Sequence, residues 1–192
     1  MQTEFQAYAT IGLRHITDPR AYDHLLFVVA LCAVYTPHEW RRVLLLMTAF
    51  TVGHAATLTL ATFGIISPPQ QVIETLIPVT IAVTALWNLR PDANQYSPTK
   101  YALAFIFGLI HGMGFSGYFR SLLGETADII YPLFAFNLGI EAGQIGIVAT
   151  VLFLSWLFIG HIGTDRRRYI AFVSGGIFVE ATMILYRNWL GI

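Results

Sequence analysis

The chain has 192 residues, of which 56% are hydrophobic and 11% are charged, and its 11 Lys and Arg balance its 11 Asp and Glu. Soluble domains carry about 25% charged residues, so this composition excludes a water-facing globular exterior and with it a soluble enzyme. Zero net charge, without a basic patch set among aromatics, argues against nucleic acid as a partner. The single cysteine, Cys32, excludes an internal disulfide scaffold and a zinc ribbon.

Apolar segments along the chain are long enough to cross a membrane, which requires about 20 residues for about 30 Å of hydrocarbon. We therefore expect an all-α fold: a polytopic bundle of six transmembrane helices that forms one domain over residues 1–192. Residues 1–20 are expected to form an interfacial segment, and a turn is expected at 124–128. The predicted spans are residues 21–35, 43–66, 69–89, 101–119, 130–159 and 169–190.

The distribution of basic residues predicts the orientation of this bundle. Cytoplasmic loops carry an excess of Lys and Arg. The loops after the first, third and fifth spans hold seven of them, and the opposite side holds four: Arg14, Arg20, Arg120 and Arg187. Both termini are therefore expected on the extracytoplasmic side.

Ionisable residues inside spans are costly, so each is a candidate for a function. With no Lys or Arg deep enough to neutralise the acids, histidines are their expected companions, and neutral imidazole with carboxylate suits Ni, Co or Zn. At about 1.5 Å per residue, most of these groups lie about 6 to 18 Å below the outer span ends. The predicted metal ligands are His15, Asp23, His24, His54, His111 and Glu141.

Further polar residues are predicted to support this site from a second layer. Asn137, Glu141 and Gln144 are spaced by four and three residues, which places them on one helical face. Together with Glu74, the two amides are expected to act as second-shell or relay groups. Glu180 has no polar companion in its span and is equally consistent with a cluster member or a buried protonated acid.

Glycines accompany the candidate ligands, and they indicate close helix packing. A weak internal echo also appears: Phe50 and Gly53 in the second span align with Phe136 and Gly139 in the fifth, and two three-span halves of this kind would be inverted in the membrane. In this alignment His24 and His111 lie 87 residues apart.

Six blocks of sequence follow one another along most of the chain: GLRH (12–15), DHLLF (23–27), TAFTVGHAATLTL (48–60), VIE (72–74), FGLIHGMGF (107–115) and FNLGIEAGQ (136–144). Together they resemble the HupE/UreJ family, in a divergent branch with a degenerate first motif. The resemblance implies a multi-pass protein of the bacterial inner membrane that takes up nickel or cobalt. It places the family's histidine and aspartate motif on His15, Asp23 and His24, and its span-four histidine motif on His111.

Two functions compete at this stage. A transporter for a divalent transition metal is favoured by the ligand set, with lipid and the ion as partners and a homo-oligomer as the candidate assembly. A zinc-dependent intramembrane hydrolase, with Glu141 or Asp23 as general base, is the alternative, because the cytoplasmic halves, such as residues 82–86 and 150–158, show no polar ladder for an exit. A rhomboid-type serine protease through Ser116, and a non-catalytic assembly subunit or sensor, are weaker alternatives.

Overall fold

The computed structural model describes residues 3–19, 22–93, 97–123 and 129–191, so the turn predicted at 124–128 lies outside the described residues. These residues form helices, with no strand among them, which confirms the predicted all-helical class. Short 3-10 and π segments precede α3 and follow α7, at Pro37–Glu39 and Trp156–His161. The helices are α1 (Glu4–Thr17), α2 (Asp23–Cys32), α3 (Trp40–Thr62), α4 (Gln70–Asn88), α5 (Pro98–Gly114), α6 (Ser116–Leu123), α7 (Ile130–Ser155) and α8 (Arg166–Leu190).

Four helical segments are long and apolar enough to cross a membrane, and α5 with α6 makes a fifth if the bent pair is one span. The pair bends by 49° at Phe115, within the span predicted over 101–119. The first predicted span, 21–35, contains only the ten-residue α2, which is too short to cross alone. The structure therefore establishes a multi-pass helical membrane protein with four to five candidate spans.

Capping residues in the sequence determine where the outermost helices begin and end. Thr3 and Gln6 form a reciprocal capping box at the start of α1. Asp165 accepts a hydrogen bond from the backbone N–H of Arg168 at the start of α8, and Gly191 ends that helix in the left-handed conformation. Local chemistry thus determines where α1 begins and where α8 begins and ends.

One end of the bundle collects the basic side chains, and we call it the basic end. Arg166 Nη2 contacts the carbonyl of Val34 at 2.6 Å and Glu39 Oε2 at 3.1 Å, which joins the start of α8 to the segment after α2. Arg42 pairs with Glu39 at 3.2 Å. Helices α3, α5 and α8 begin at this end, whereas α1 begins and α8 ends at the opposite end.

Helices α1 and α7 run parallel in backbone contact, starting together where the rings of Phe5 and Tyr131 lie 6.1 Å apart. A Cβ added to Gly12 would lie 2.0 Å from the carbonyl oxygen of Phe136. Since no side chain fits there, the glycine is what allows α1 to lie along the first part of α7. A segment expected at the interface is therefore packed lengthwise against a candidate span.

Helices α3 and α5 form a second parallel pair of the same kind, running away from the basic end. A Cβ on Gly108 would lie 2.2 Å from the carbonyl oxygen of Phe50, and a Cβ on Gly53 would lie 2.2 Å from that of Phe105. Thr57 Oγ1 also donates across the pair to the carbonyl of Leu109 at 2.7 Å.

The two pairs have equivalent contacts and opposite directions. In α1 and α7, Gly139 meets the carbonyl of Ala9 as Gly53 meets that of Phe105. The Phe-x-x-Gly echo in the sequence therefore corresponds to a repeated packing arrangement. The sequence alignment paired His24 with His111, but the helix contacts pair a different histidine with it. His15 follows Gly12 by three residues, as His111 follows Gly108, so His15 is the structural counterpart of His111.

Helices α4 and α8 are antiparallel neighbours, and a proline determines their contact. Pro78 has no N–H, so the carbonyl of Glu74 loses its partner within α4. Asn188 of α8 donates to that carbonyl at 2.7 Å. At the basic end, Asn88 donates to the carbonyl of Ala30 at 2.7 Å, which attaches α2 to α4.

Candidate metal centre

Three histidines from three helices meet inside the bundle. His15 of α1, His24 of α2 and His54 of α3 each offer a ring nitrogen, and the three atoms lie within 4.8 Å of one another. The ring centroids of His15 and His24 are 4.5 Å apart, and those of His24 and His54 are 5.8 Å apart. Because tetrahedral Zn–N bonds of about 2.0 Å place nitrogens roughly 3.3 Å apart, small side-chain shifts suffice for coordination.

His111 of α5 lies beside these three, and its hydrogen bond selects a tautomer. Its ring centroid is 5.0 Å from that of His24, and its Nε2 lies 3.0 Å from Thr80 Oγ1. The Thr80 hydroxyl donates its proton to the carbonyl of Ile77 at 2.7 Å, so it accepts from His111. Nε2 of His111 therefore carries the hydrogen, and Nδ1 is left with a lone pair for a cation.

Asp23 orients His24 in the same way. Its Oδ1 lies 3.1 Å from Nδ1 of His24 and also accepts from the His24 backbone N–H at 2.8 Å. With the hydrogen on Nδ1, the lone pair of His24 is on Nε2. A carboxylate that holds the second nitrogen of a metal-binding imidazole is a recurrent second-shell arrangement.

Five ring nitrogens of these four histidines are buried and have no hydrogen-bond partner within the described part of the chain. They are His15 Nε2, His24 Nε2, His54 Nδ1, His54 Nε2 and His111 Nδ1. Leaving one buried polar group unpaired costs about 1–3 kcal/mol, so such groups are rare in native proteins. The concentration of five of them in one place makes the cluster a candidate ion-binding site.

Aromatic rings pack against the histidines and separate them from much of their polar surroundings. The Phe115 ring lies 3.9 Å from His15, centroid to centroid, and stacks on Phe136 at 5.1 Å. On the side towards the basic end, Phe27 lies 4.8 Å and Phe50 5.3 Å from the ring of His111. A low-polarity shell of this kind strengthens electrostatic interactions with a bound ion.

Two helices have their C-terminal ends close to the cluster. Helix α1 ends at Thr17, two residues after His15, and α5 ends at Gly114, three residues after His111. A helix C-terminus carries a partial negative charge of about half an electron and favours a cation. The glycine pairing of α1 and α5 with their neighbours positions these ends.

Recesses at the surface approach the cluster from two directions. The first, which we call the carboxylate recess, is lined by Tyr22, Asp23, Glu74, Ile77, Pro78, Ile184 and Asn188. The second lies between α1 and α6 and includes Arg14, His15, Asp18 and Tyr118. The carboxylate recess contains two carboxylates, those of Asp23 and Glu74, whereas the second recess contains one carboxylate, Asp18, and one guanidinium, Arg14.

The structure does not bring Glu141 to the histidines, which departs from the predicted ligand set. Its side chain lies on the exposed face of α7, as that of Glu180 does on α8. Spacing correctly related Glu141 to Gln144, but Gly139 and Gly143 of α7 face α1, and this turns Glu141 outwards. As a result, Glu141 is not placed to act as a general base at the cluster.

The residues predicted for a second layer are also distributed differently. Glu74 is exposed, accepts from Gln70 Nε2 at 3.0 Å and borders the carboxylate recess. Gln144 is buried and accepts from Thr51 Oγ1 at 2.8 Å, while Asn137 donates to the carbonyl of Leu133 at 2.8 Å. Only the Gln144 contact joins two helices, α7 and α3, whereas the other two contacts stay within one helix. Among the described residues, none of the three makes a hydrogen bond to a cluster histidine.

Thr80, which is hydrogen-bonded to His111, was not among the predicted site residues. A threonine in an apolar span is usually bonded to its own helix, so its type gave no reason to single it out. A signal was present in its position, two residues after Pro78 on a helix that carries a predicted functional residue, Glu74. Ser116, considered as a nucleophile, donates to the carbonyl of Met113 at 2.9 Å and has no histidine partner among the described residues.

Comparison with known proteins decides the family. The sequence model described as "HupE / UreJ protein" matches residues 1–188. The chain belongs to the HupE/UreJ family. This confirms the predicted resemblance, and the family is associated with nickel and cobalt transport. No curated protein and no solved structure gives a significant match.

Proposed function

We propose that this HupE/UreJ protein is an inner-membrane carrier for a divalent transition-metal ion, nickel or cobalt. His15, His24 and His54 bind the ion, and His111 supplies a fourth imidazole through Nδ1. Imidazole suits these metals well, whereas magnesium and calcium prefer oxygen ligands. The observation that carries the proposal is that ring nitrogens of His15, His24 and His54 lie within 4.8 Å of one another, and that each of these histidines has a buried ring nitrogen without a hydrogen-bond partner among the described residues.

We further propose that α1 and α2 together form one broken span, which brings the number of spans to six. Helix α1 follows the first part of α7, and the end of α2 is joined to the end of α7, where Ser155 Oγ donates to the carbonyl of Tyr35 at 3.1 Å. Broken helices whose ends point at a cation near the middle of the membrane are typical of secondary transporters. The break between Thr17 and Asp23 lies at the histidines.

The carboxylate recess serves as the outer mouth in this proposal. With the basic end in the cytoplasm, the recess faces the extracytoplasmic side, and both termini lie there. Asp23 and Glu74 would attract a hydrated cation, and Asp23 contacts the ligand His24 directly. The recess with Arg14 is less favourable for a cation, because its guanidinium repels the approaching ion.

Flux measurements in proteoliposomes test the proposal. The purified protein is reconstituted, and uptake of Ni²⁺ or Co²⁺ is followed with a metal-sensitive dye trapped inside. His24→Ala and His54→Ala should abolish uptake and binding. His38→Ala is the matched control, because His38 is exposed at the basic end. A parent protein with no flux above empty liposomes would refute transport.

A zinc-dependent intramembrane hydrolase is the second candidate. It is favoured by the number of histidines whose nitrogens lie within 4.8 Å of one another, which is three. Three histidines leave one coordination position for water, as in catalytic zinc sites. In that case Asp23 is the nearest carboxylate, although its bond to His24 already occupies one of its oxygens. Zinc-dependent release of a labelled lipid or membrane peptide, without metal flux, would favour this function.

A further inference from the structure

A polar face on α4 runs from the histidines towards the basic end. Thr80, Thr84 and Asn88 follow one another at intervals of four residues, which places them on one side of the helix. They are only 3%, 8% and 7% exposed, so this side faces the interior of the bundle. Residue 84 lies within 82–86, a stretch that sequence analysis took to lack a polar ladder, and that expectation was therefore wrong.

Hydrogen bonds connect Thr80 and Thr84 to the cluster, whereas Asn88 bonds to the neighbouring helices α2 and α8. Thr80 Oγ1 holds Nε2 of His111 at 3.0 Å, and Thr84 Oγ1 donates to the carbonyl of Thr80 at 2.8 Å. One turn further, Asn88 Nδ2 lies 3.3 Å from Ser174 Oγ of α8. Hydroxyl, amide and carbonyl oxygens thus continue in steps of one helical turn, about 5.4 Å each.

A cavity receives this polar face near the basic end. We call it the basic-end cavity, and its lining includes Tyr35, Thr84, Asn88, Ala93, Lys100 and Phe107. The Lys100 ammonium is hydrogen-bonded to the carbonyl of Ala93 and lies 5.7 Å from the Tyr35 ring. The ammonium repels a divalent cation, so the cavity is not a storage site for the ion.

Aromatic side chains separate the cavity from the histidines. Phe27 contacts His111 on one side, at 4.8 Å between centroids, and Phe107 on the other, at 6.0 Å. Phe107 itself lines the cavity. The barrier between cluster and cavity therefore consists of two rings in series, Phe27 and then Phe107, and the polar face of α4 passes beside it.

The repeated helix pairs give His15 and His111 opposite surroundings. His15 borders a recess at the end opposite the basic residues, whereas its counterpart His111 is fully buried and contacts Thr80. In inverted-repeat transporters, equivalent elements of the two halves serve the two sides of one central site. His111 accordingly has the position of the ligand nearest the exit.

We propose that Thr80, Thr84 and Asn88 line the second half of the ion path, which leads from His111 past Phe27 and Phe107 into the basic-end cavity. Their oxygens would replace part of the hydration shell of a divalent cation as it passes the ring barrier. This path rests on the proposed transport function and extends it, because a hydrolase needs no route to the second face. It is a transit path and not a second storage site.

The test compares binding with flux in Thr84 variants. Thr84→Val removes the hydroxyl at nearly constant volume, Thr84→Ser restores it, and Thr75→Val is the control, because exposed Thr75 on the same helix makes the same bond to its own backbone. Equilibrium Co²⁺ binding in detergent should be unchanged in all three. Co²⁺ flux should fall about tenfold in Thr84→Val only, which corresponds to about 1.4 kcal/mol on the barrier.

The outcomes distinguish a failure of the proposed ion path from a failure of the proposed carrier function. If the parent protein transports Co²⁺ and Thr84→Val transports it as fast as Thr75→Val, the path is refuted and the carrier function stands. If the parent binds Co²⁺ without flux, the carrier function itself fails. The Thr84→Cys variant, in a Cys32→Ala background, should also react with a charged thiol reagent added at the basic end, and a failure to react would contradict an accessible cavity.

Discussion

The hydroxyl of Thr80 lies 3.0 Å from Nε2 of His111 while it donates its own proton to the carbonyl of Ile77. One threonine thereby fixes which nitrogen of a buried imidazole carries hydrogen. On the other side of the cluster, Asp23 does the same for His24. Two of the four histidines thus present a determined lone pair towards the centre before any ion arrives.

We expect Thr80→Val to weaken Co²⁺ binding about tenfold, within the 10- to 100-fold range usual for lost second-shell partners. The reason is that His111 then adopts either tautomer, and Nε2 becomes another unpaired buried atom. Thr80→Ser keeps the hydroxyl and should retain the parental affinity. Competition titration with a chelating dye measures both variants, and equal affinities for Val and Ser would contradict the assigned tautomer.

Two carboxylates that sequence analysis treated alike should behave differently. Asp23→Asn should lower Co²⁺ affinity by about 10- to 100-fold, because an amide can turn its N–H towards Nδ1 of His24 and reverse the tautomer. Glu141→Gln should leave the affinity unchanged, since Glu141 is exposed on α7. The same titration decides, and a loss of binding in Glu141→Gln would return that residue to the ligand set.

Close helix contacts make some glycines indispensable and leave others replaceable. Gly108→Ala would place a Cβ 2.2 Å from the carbonyl of Phe50, so we expect a destabilisation of about 1–3 kcal/mol from overpacking. Gly146→Ala is the control, because nothing lies within 4 Å of its added Cβ. Thermal unfolding in detergent compares them, and equal midpoints would argue against the tight α3 and α5 pair.

The contact between Pro78 and Asn188 predicts a non-additive pair of substitutions. Asn188→Ala should destabilise the protein by about 1–3 kcal/mol, because the carbonyl of Glu74 loses its donor. In a Pro78→Ala background the new N–H of residue 78 can satisfy that carbonyl, and Asn188→Ala should then be nearly neutral. A double-mutant cycle on unfolding free energies measures the coupling, and additive effects would contradict this explanation.

Hydropathy and charge identified the class of protein because span length and composition are properties of local sequence. They identified the long helices α3, α4, α7 and α8, and they also predicted that histidines would meet. The shape of the first span was not predictable in this way. In the proposed broken span, the ten-residue α2 gains its length only from α1, whose packing on α7 depends on glycine contacts between distant segments.

The limits of prediction at the site have a similar origin. Periodicity relates residues within one helix but does not say which side of that helix is covered, so Glu141 was expected inside and lies outside. Thr80 and Thr84 were overlooked for the converse reason, because hydroxyl groups in apolar runs look unremarkable until a neighbouring helix supplies His111. Sequence thus predicts which residues share one face of a helix, whereas the helix that packs against that face is known only from the fold.

X-ray absorption spectroscopy of the protein loaded with one equivalent of Co²⁺ tests the central claim most directly. The account predicts a shell of three to four imidazole nitrogens at about 2.0–2.1 Å, and the loss of one of them in His54→Leu. A shell of oxygen ligands only, or a spectrum unchanged by His54→Leu, would contradict the claim that these histidines bind one ion together.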